Sequence, residues 1–180
     1  MDDYKENLTI KIDTDDYGQV FVYPHILTRD KKVKERIKFE LDSGSSYTTM
    51  SCDDLSILGY EKSILNSFKD YKSVKTAGGE IMLKHLGYIT LLFEGIGIDN
   101  VNIYFSLDYE GKTLGTLLGS DFLKFFNYSV NYDIPELYIE KTKRIPPVTR
   151  DEKPLKIYSI GSTQVHIDKN QVDVNSLSRK

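Results

Sequence analysis

Apolar residues recur at every second position along most of this chain, the repeat of strands that bury one face. Leu8, Ile10 and Ile12 alternate with polar neighbours, and Gly18 introduces a second strand at Val20-Phe21-Val22-Tyr23. The charged run at 28–35 reads as an exposed loop or hairpin tip. Ile37, Phe39 and Leu41 resume the alternation and lead straight into Asp42-Ser43-Gly44, after which residues 47–50 regain strand character. Ser51 with Asp54 three positions on is a helix start signal, and Gly59 supplies the stop. Two long strands are expected on either side of Thr76-Ala77-Gly78-Gly79, a hairpin-tip signal. Residues 95–100 read as a turn-rich connection and 101–105 as a strand. The apolar stretch 114–118 ends at Gly119. A short helix over 121–126 follows, with Ser120 as its cap and Asn127 closing it. Val130 and Tyr132 then face Leu137 and Ile139 across a turn at Asp133-Ile134-Pro135-Glu136.

Residues 141–156 change character, with Pro146, Pro147 and many charges, and mark a domain boundary. Beyond it lies one weak strand signal around Val165 and Ile167 in an otherwise polar stretch. The division expected is a domain at 1–145 and a polar, partly extended tail at 146–180 that is a candidate for dimerisation. There is no internal repeat. The fold class is mainly β, with one or two short helices.

Composition narrows the function classes. The 13 Tyr and 8 Phe of the 180 residues supply aromatic bulk without Trp and favour strands. The 24 basic and 27 acidic residues leave a net charge of −3, so nucleic-acid binding lacks electrostatic support. No apolar run approaches the roughly 20 residues that a membrane helix needs, and no membrane partner is expected. The polar N-terminus lacks the basic start and apolar stretch of a signal peptide. Cys52 is the only cysteine, so no intrachain disulfide can form, and a cytoplasmic location is expected.

The candidate chemistry centres on Phe39-Glu40-Leu41-Asp42-Ser43-Gly44-Ser45-Ser46. An apolar strand ends in a carboxylate, followed by a small hydroxyl residue and a glycine. That order places Asp42 in a tight turn, gives Ser43 and Ser45 hydroxyls near it, and lets backbone approach closely at Gly44. On its own the tripeptide is also a plain turn.

Further along stands Leu117-Leu118-Gly119-Ser120-Asp121-Phe122-Leu123, followed by Phe126-Asn127 and Val130-Asn131-Tyr132-Asp133. With the Asp42 motif, this pairing resembles the retropepsin-like aspartic proteases over roughly residues 8–141. Members of that family have an apolar-Asp-Thr/Ser-Gly-Ala/Ser loop, a later pair of apolar residues with a glycine, a short Asp-Phe-Leu type helix and a closing hairpin. The resemblance implies a closed-barrel-like acid protease fold and aspartic endopeptidase activity without cofactor or metal. It implies Asp42 as the catalytic carboxylate, Ser43, Gly44 and Ser45 as support of its loop, and Leu117, Leu118 and Gly119 packed beside it. By position, Thr76, Ala77, Gly78 and Gly79 would form a substrate-binding flap. The helix predicted after Ser51 and the stretch after Pro147 depart from the family pattern.

The chemistry agrees with the resemblance. Hydrolysis by an activated water needs a base and a proton donor, and two carboxylates close together share one proton. This chain holds a single Asp-Ser-Gly. A homodimer supplies the second copy, because a two-fold axis brings the same residue from both sides. The expected partners are a second copy of the chain and a peptide or protein substrate. An alternative of another class is a non-catalytic peptide-binding or assembly module on the same β fold.

Other constellations fall short. His25, His85 and His166 lack metal-ligand spacing. No Gly-x-Ser-x-Gly turn exists for a serine nucleophile. Asp53 and Asp54 disfavour a thiolate at Cys52. Asp13-Thr14-Asp15-Asp16-Tyr17-Gly18 resembles the start of a calcium loop, but Pro24 stands where a bidentate acid is needed. Gly95-Ile96-Gly97 has no helix after it to bind a dinucleotide. Asp121 reads as an acid in the first turn of a short helix.

Overall fold

The computed structural model describes residues 7–27, 33–61, 63, 67, 69, 71–76, 79–106, 114–143, 146–149 and 152–160. The hairpin-tip residues Ala77 and Gly78 and the strand signal at Val165 and Ile167 lie outside them. The protein is mainly β, and the alternation in the sequence reappears as burial.

The strands are β1 (Asn7–Lys11), β2 (Asp13–Thr14), β3 (Val20–Val22), β4 (His25–Leu27), β5 (Val33–Arg36) and β6 (Phe39–Leu41), followed by helix α1 (Cys52–Ile57). Then come β7 (Lys72–Thr76), β8 (Gly79–Phe93), β9 (Ile96–Ser106), β10 (Leu117–Leu118), helix α2 (Ser120–Leu123), β11 (Phe126–Asn131), β12 (Glu136–Lys141) and β13 (Lys156–Ser159). Three sheets result, in the orders β1-β12-β11, β10-β6-β3-β2 and β13-β9-β8-β4-β5, the last extended by β7 on β8. These are open orders, and among the described residues no closed barrel is seen.

Helix α1 starts as its sequence requires. The Ser51 hydroxyl accepts from the Asp54 N–H, and Gly59, at φ +88°, takes the chain out of the helix. Helix α2 is shorter than the pattern predicts, because Phe126 leaves helical geometry to begin β11 against β12. The turn-rich connection expected at 95–100 contracts to Glu94-Gly95, and β9 runs on from Ile96. Burial explains this, since Ile96 and Ile98 are both in the core and cannot sit in a solvated loop.

The core lies between the sheets. Ile26, Phe39, Leu55, Leu91, Ile98 and Val101 are fully buried, and Leu118, Phe122 and Leu137 join the same cluster. Among the described residues no helix is long and apolar enough to cross a membrane.

The stretch after the proline pair is tied back into the sheet. Strand β13 pairs antiparallel with β9, setting Tyr158 opposite Gly97. The Tyr158 hydroxyl donates to Asp99 Oδ1 at 3.1 Å, and Leu155 is buried in the core. A side chain at residue 97 would meet the Tyr158 ring, whose nearest atom lies 2.4 Å from where a Cβ would stand. Gly97→Val should therefore cost about 1–3 kcal/mol in urea unfolding. Adding Tyr158→Ala should recover part of that loss, because it removes the atoms in conflict. Equal stability of Gly97→Val and the wild type would show that β13 is not seated there.

Candidate functional site

The site is built where two short strands run parallel. β6 and β10 pair with Glu40 beside Leu117 and Leu41 beside Leu118. The Glu40 N–H donates to the Thr116 carbonyl and the Asp42 N–H to the Leu118 carbonyl, each at 3.1 Å. The backbone of Asp42 is thus the last rung of this ladder. The chain then turns sharply, with the Ser45 N–H donating to the Asp42 carbonyl at 3.2 Å. The Gly44 N–H donates to Asp42 Oδ1 at 2.9 Å, which fixes the orientation of the carboxylate. A Cβ on Gly44 would stand 3.1 Å from that oxygen, so glycine keeps the space around the acid open. Asp42 is half-buried, while Ser43 and Gly44 are exposed.

Beyond the turn the chain threads between two strands. Thr49 bridges to Tyr104 of β9 on one side and to Leu117 of β10 on the other. The Tyr104 N–H donates to the Thr48 carbonyl and the Met50 N–H to the Tyr104 carbonyl, both at 3.0 Å. Thr49 and Leu117 exchange two bonds of the same length. The Ser45 hydroxyl donates to the Tyr47 carbonyl at 2.9 Å, and the Ser120 N–H donates to the Ser45 carbonyl at 2.7 Å. At Gly119 the packing leaves no room at all: a Cβ there would fall 2.5 Å from the Tyr47 carbonyl carbon and oxygen. That contact explains why the Leu-Leu-Gly segment needs its glycine.

Under this crossing lies a buried acid. Asp121 is 5% exposed and Thr48 is 0% exposed. The Thr48 hydroxyl donates to Asp121 Oδ1 at 2.7 Å and accepts the Gly119 N–H at 3.0 Å. Asp121 Oδ2 is buried with no hydrogen-bond partner among the described residues. Burial raises the Asp121 carboxyl above the ordinary carboxylate range. The Thr48 hydrogen bonds oppose this, and the negative charge of Glu152 adds to it. Glu152 is itself held by Lys124 of the turn after α2, Nζ to Oε2 at 2.6 Å. Asp121 stands in the first turn of its helix as read from sequence, and its bond to Thr48 gives it a second task. The signal for that task was the acid's place in an otherwise apolar run, since a carboxyl buried there needs a donor.

A second polar link holds α1 to the strand pair. The Ser51 N–H donates to Thr116 Oγ1 at 2.9 Å, and the Thr116 hydroxyl donates to Asp54 Oδ2.

Asp42, Ser43, Gly44 and Ser45 form one turn, and Leu117, Leu118 and Gly119 lie beside it, as read from sequence. Thr76 and Gly79 are paired at the far end of the β7–β8 hairpin, where the Thr76 hydroxyl donates to the Gly79 carbonyl at 2.8 Å and Gly79 adopts φ +121°. The base of that hairpin, not its tip, touches the segment after the turn. Lys72 Nζ lies 4.2 Å from the centre of the Tyr47 ring and 4.7 Å from that of Tyr104. Neither Lys72 nor the two tyrosines carry a sequence motif, and only the strand pairing brings them together.

The remaining candidates hold structural places. Arg36 Nε donates to His25 Nε2 at 3.2 Å, and His85 packs on Tyr104 and Tyr88. His166 lies outside the described residues. Cys52 is a free, half-buried thiol at the start of α1. Among the described residues no group of three or more His, Cys, Asp or Glu side chains could hold a metal ion.

The structure is similar to the crystal structure of a retropepsin-like aspartic protease from Rickettsia conorii, with 19% sequence identity and a TM-score of 0.49 over 75% of this chain and 90% of that one. No family model matches the chain, and no curated protein matches it.

The Asp121–Thr48 pair sets a pH dependence. A carboxyl whose pKa is raised by folding keeps its proton longer in the native state than in the unfolded one. Its stabilising contribution is complete below the ordinary carboxylate pKa and is lost as pH rises through the raised native value. Asp121→Asn cannot titrate, so its stability relative to wild type should improve from about pH 4 upward, read as thermal midpoints across that range. A constant offset between the two proteins would refute this. Thr48→Val should cost about 1–3 kcal/mol, and more as Asp121 ionises, because it strips Asp121 and the Gly119 N–H of their shared partner.

Proposed function

We propose that this chain is an aspartic endopeptidase, active as a homodimer, that hydrolyses peptide bonds with a water held between two Asp42 carboxylates, one from each copy. The observation that carries the reading is the Asp42 turn. A carboxylate at the end of a parallel strand pair has one oxygen fixed by the Gly44 N–H, beside exposed residues that leave room for a second chain.

The mechanism follows from what one carboxylate can and cannot do. Peptide hydrolysis by water needs a base to take a proton from the water and an acid to give one to the carbonyl oxygen. Two carboxyl groups within a few Å share a single proton, so one is the base and the other the acid at once. The pair titrates jointly. This chain has one Asp-Ser-Gly turn, and a two-fold axis beside Asp42 supplies its twin. In that arrangement the exposed Ser43 faces the partner's turn and ties the two loops together. The β7–β8 hairpin is the flap, closing over an extended peptide from the side of Thr76 and Gly79. The peptide itself would lie as an added strand, held by backbone hydrogen bonds.

Asp42→Asn should lower turnover of an unstructured protein substrate by about 10²–10⁴-fold or more, with circular dichroism and dimer mass unchanged. Below the dimer dissociation constant the wild-type rate should rise with the square of enzyme concentration, becoming linear above it. Excess Asp42→Asn should poison the wild type once subunits exchange. Full activity of Asp42→Asn would end the aspartic-protease reading. A linear rate through a demonstrated monomer range would end the dimer mechanism. Undiminished peptide binding by a wild type that cleaves nothing would instead identify a peptide-binding module.

A further inference from the structure

The inner face of the β7–β8 hairpin carries a charge that no part of the proposed mechanism uses. In the pairing of β7 with β8, Lys72 stands opposite Leu83, and Leu83 in turn stands opposite Ser106 of β9. The next pair on that face is His85 with Tyr104. Because side chains alternate across a strand, Lys72, His85 and Tyr104 share one face. Val74 and Ile81, paired with each other nearer the tip, continue it as half-buried apolar positions. The opposite face is more open to solvent: Ser73 and Glu80 are exposed and hydrogen-bonded to each other.

On this face the Lys72 ammonium rests over two aromatic rings, Tyr47 and Tyr104. The rings meet edge to face at 4.9 Å, and His85 packs on Tyr104 with ring centres 4.9 Å apart. Tyr104 is 1% exposed, so the base of this box is fixed, whereas Tyr47 and Lys72 are half-buried and reachable. Tyr47 belongs to the segment that leaves the Asp42 turn, and its carbonyl anchors the Ser45 hydroxyl. The box therefore links the hairpin to the turn that carries the candidate carboxylate.

Among the described residues Lys72 forms no salt bridge. Ring faces attract a half-buried ammonium, which orients it without neutralising it. We propose that Lys72, held over Tyr47 and Tyr104, is a specificity-determining residue that selects peptides with an acidic side chain close to the scissile bond. This rests on the peptidase reading of Asp42. A substrate carboxylate entering beside the ammonium meets a full positive charge in a partly dry site, where ionic attraction exceeds its value in water. A lysine or arginine at the same substrate position meets like charge and is rejected.

The test compares matched peptides that differ only in Glu, Gln or Lys at each position around one cleavage site, with kcat/KM measured for the full-length wild type, Lys72→Met and Lys72→Glu. At one position the wild type should prefer Glu over Gln by about tenfold, a charge-assisted hydrogen bond's worth of discrimination. Lys72→Met keeps an apolar stem on the rings and should bring that ratio to about one, and Lys72→Glu should turn it in favour of Lys. A wild type that cleaves with no acidic preference at any position would overturn the proposal. So would a Lys72→Met protein whose rates fall equally on all peptides, since that is the behaviour of a latch holding the hairpin in place. If the wild type cleaves nothing, the peptidase reading fails separately, and binding of the same peptides decides the subsite. Tighter binding of the Glu peptide that disappears in Lys72→Met supports an acidic subsite, and equal binding of all three removes it.

Discussion

A single hydroxyl group organises the crossing on which this site is built. Thr48 is fully buried, and its Oγ1 donates to Asp121 while accepting from the Gly119 N–H. Each bond removes a cost that burial would impose, on a carboxyl oxygen in one case and on a helix-start N–H in the other. Together they set the distance between residues 47–50 and the start of α2. That distance is short enough for Gly119 to touch the Tyr47 backbone, with no room for a Cβ. The Leu118 carbonyl immediately before Gly119 receives the Asp42 N–H. The position of the candidate carboxylate is therefore inherited from a threonine, a glycine and a buried acid, none of which need touch a substrate.

The strand pair itself is slight. β10 is two residues long, and parallel pairs are less stable per residue than antiparallel ones. What holds it is its surroundings. Leu118, Phe39 and Phe122 are in one core cluster, Thr49 bonds Leu117 from the far side, and Thr116 is bonded through its hydroxyl to α1. A turn at the end of such a pair is anchored on its strand side and open on its loop side, as the exposures of Ser43 and Gly44 record. Function at a loop carried by a rigid scaffold is the ordinary arrangement for binding and catalysis.

The parts of this structure legible in the sequence are those governed by local rules. Strand alternation at Leu8 and Ile10, at Phe39 and Leu41 and at Leu137 and Ile139 follows from a period of two, and the Ser51 cap and Gly59 stop follow from backbone geometry over a few residues. The Asp42 turn and the Leu-Leu-Gly segment were visible because their residue types are unusual next to apolar strands. Other features depend on register between distant strands, which composition does not encode. Helix α2 ends early because Phe126 pairs with Lys141, and β9 begins early because Ile96 pairs with Phe93. The stack of Lys72 on Tyr47 and Tyr104 needs β7, β8 and β9 in correct alignment and residues 47–50 bonded to β9 before all three become neighbours. The Asp121–Thr48 bond spans 73 positions; its existence, though not its partner, could be inferred from a carboxyl among Leu117, Leu118, Phe122 and Leu123.

The two acids of the crossing divide the work by environment. Asp121 is enclosed, bonded to one hydroxyl and held above the ordinary carboxylate range by burial, so its contribution to the crossing is geometric. Asp42 has its backbone in a ladder and one oxygen on an N–H, yet sits half-open beside a glycine. An acid placed that way has a fixed direction and access to solvent, the two properties that general acid–base chemistry on water demands. What it lacks within the chain is a matching Asp-Ser-Gly turn. The same exposure that makes Asp42 reachable by water makes the face around it reachable by a second copy, and a symmetric contact there would convert one oriented carboxylate into a proton-sharing pair without any further change in sequence.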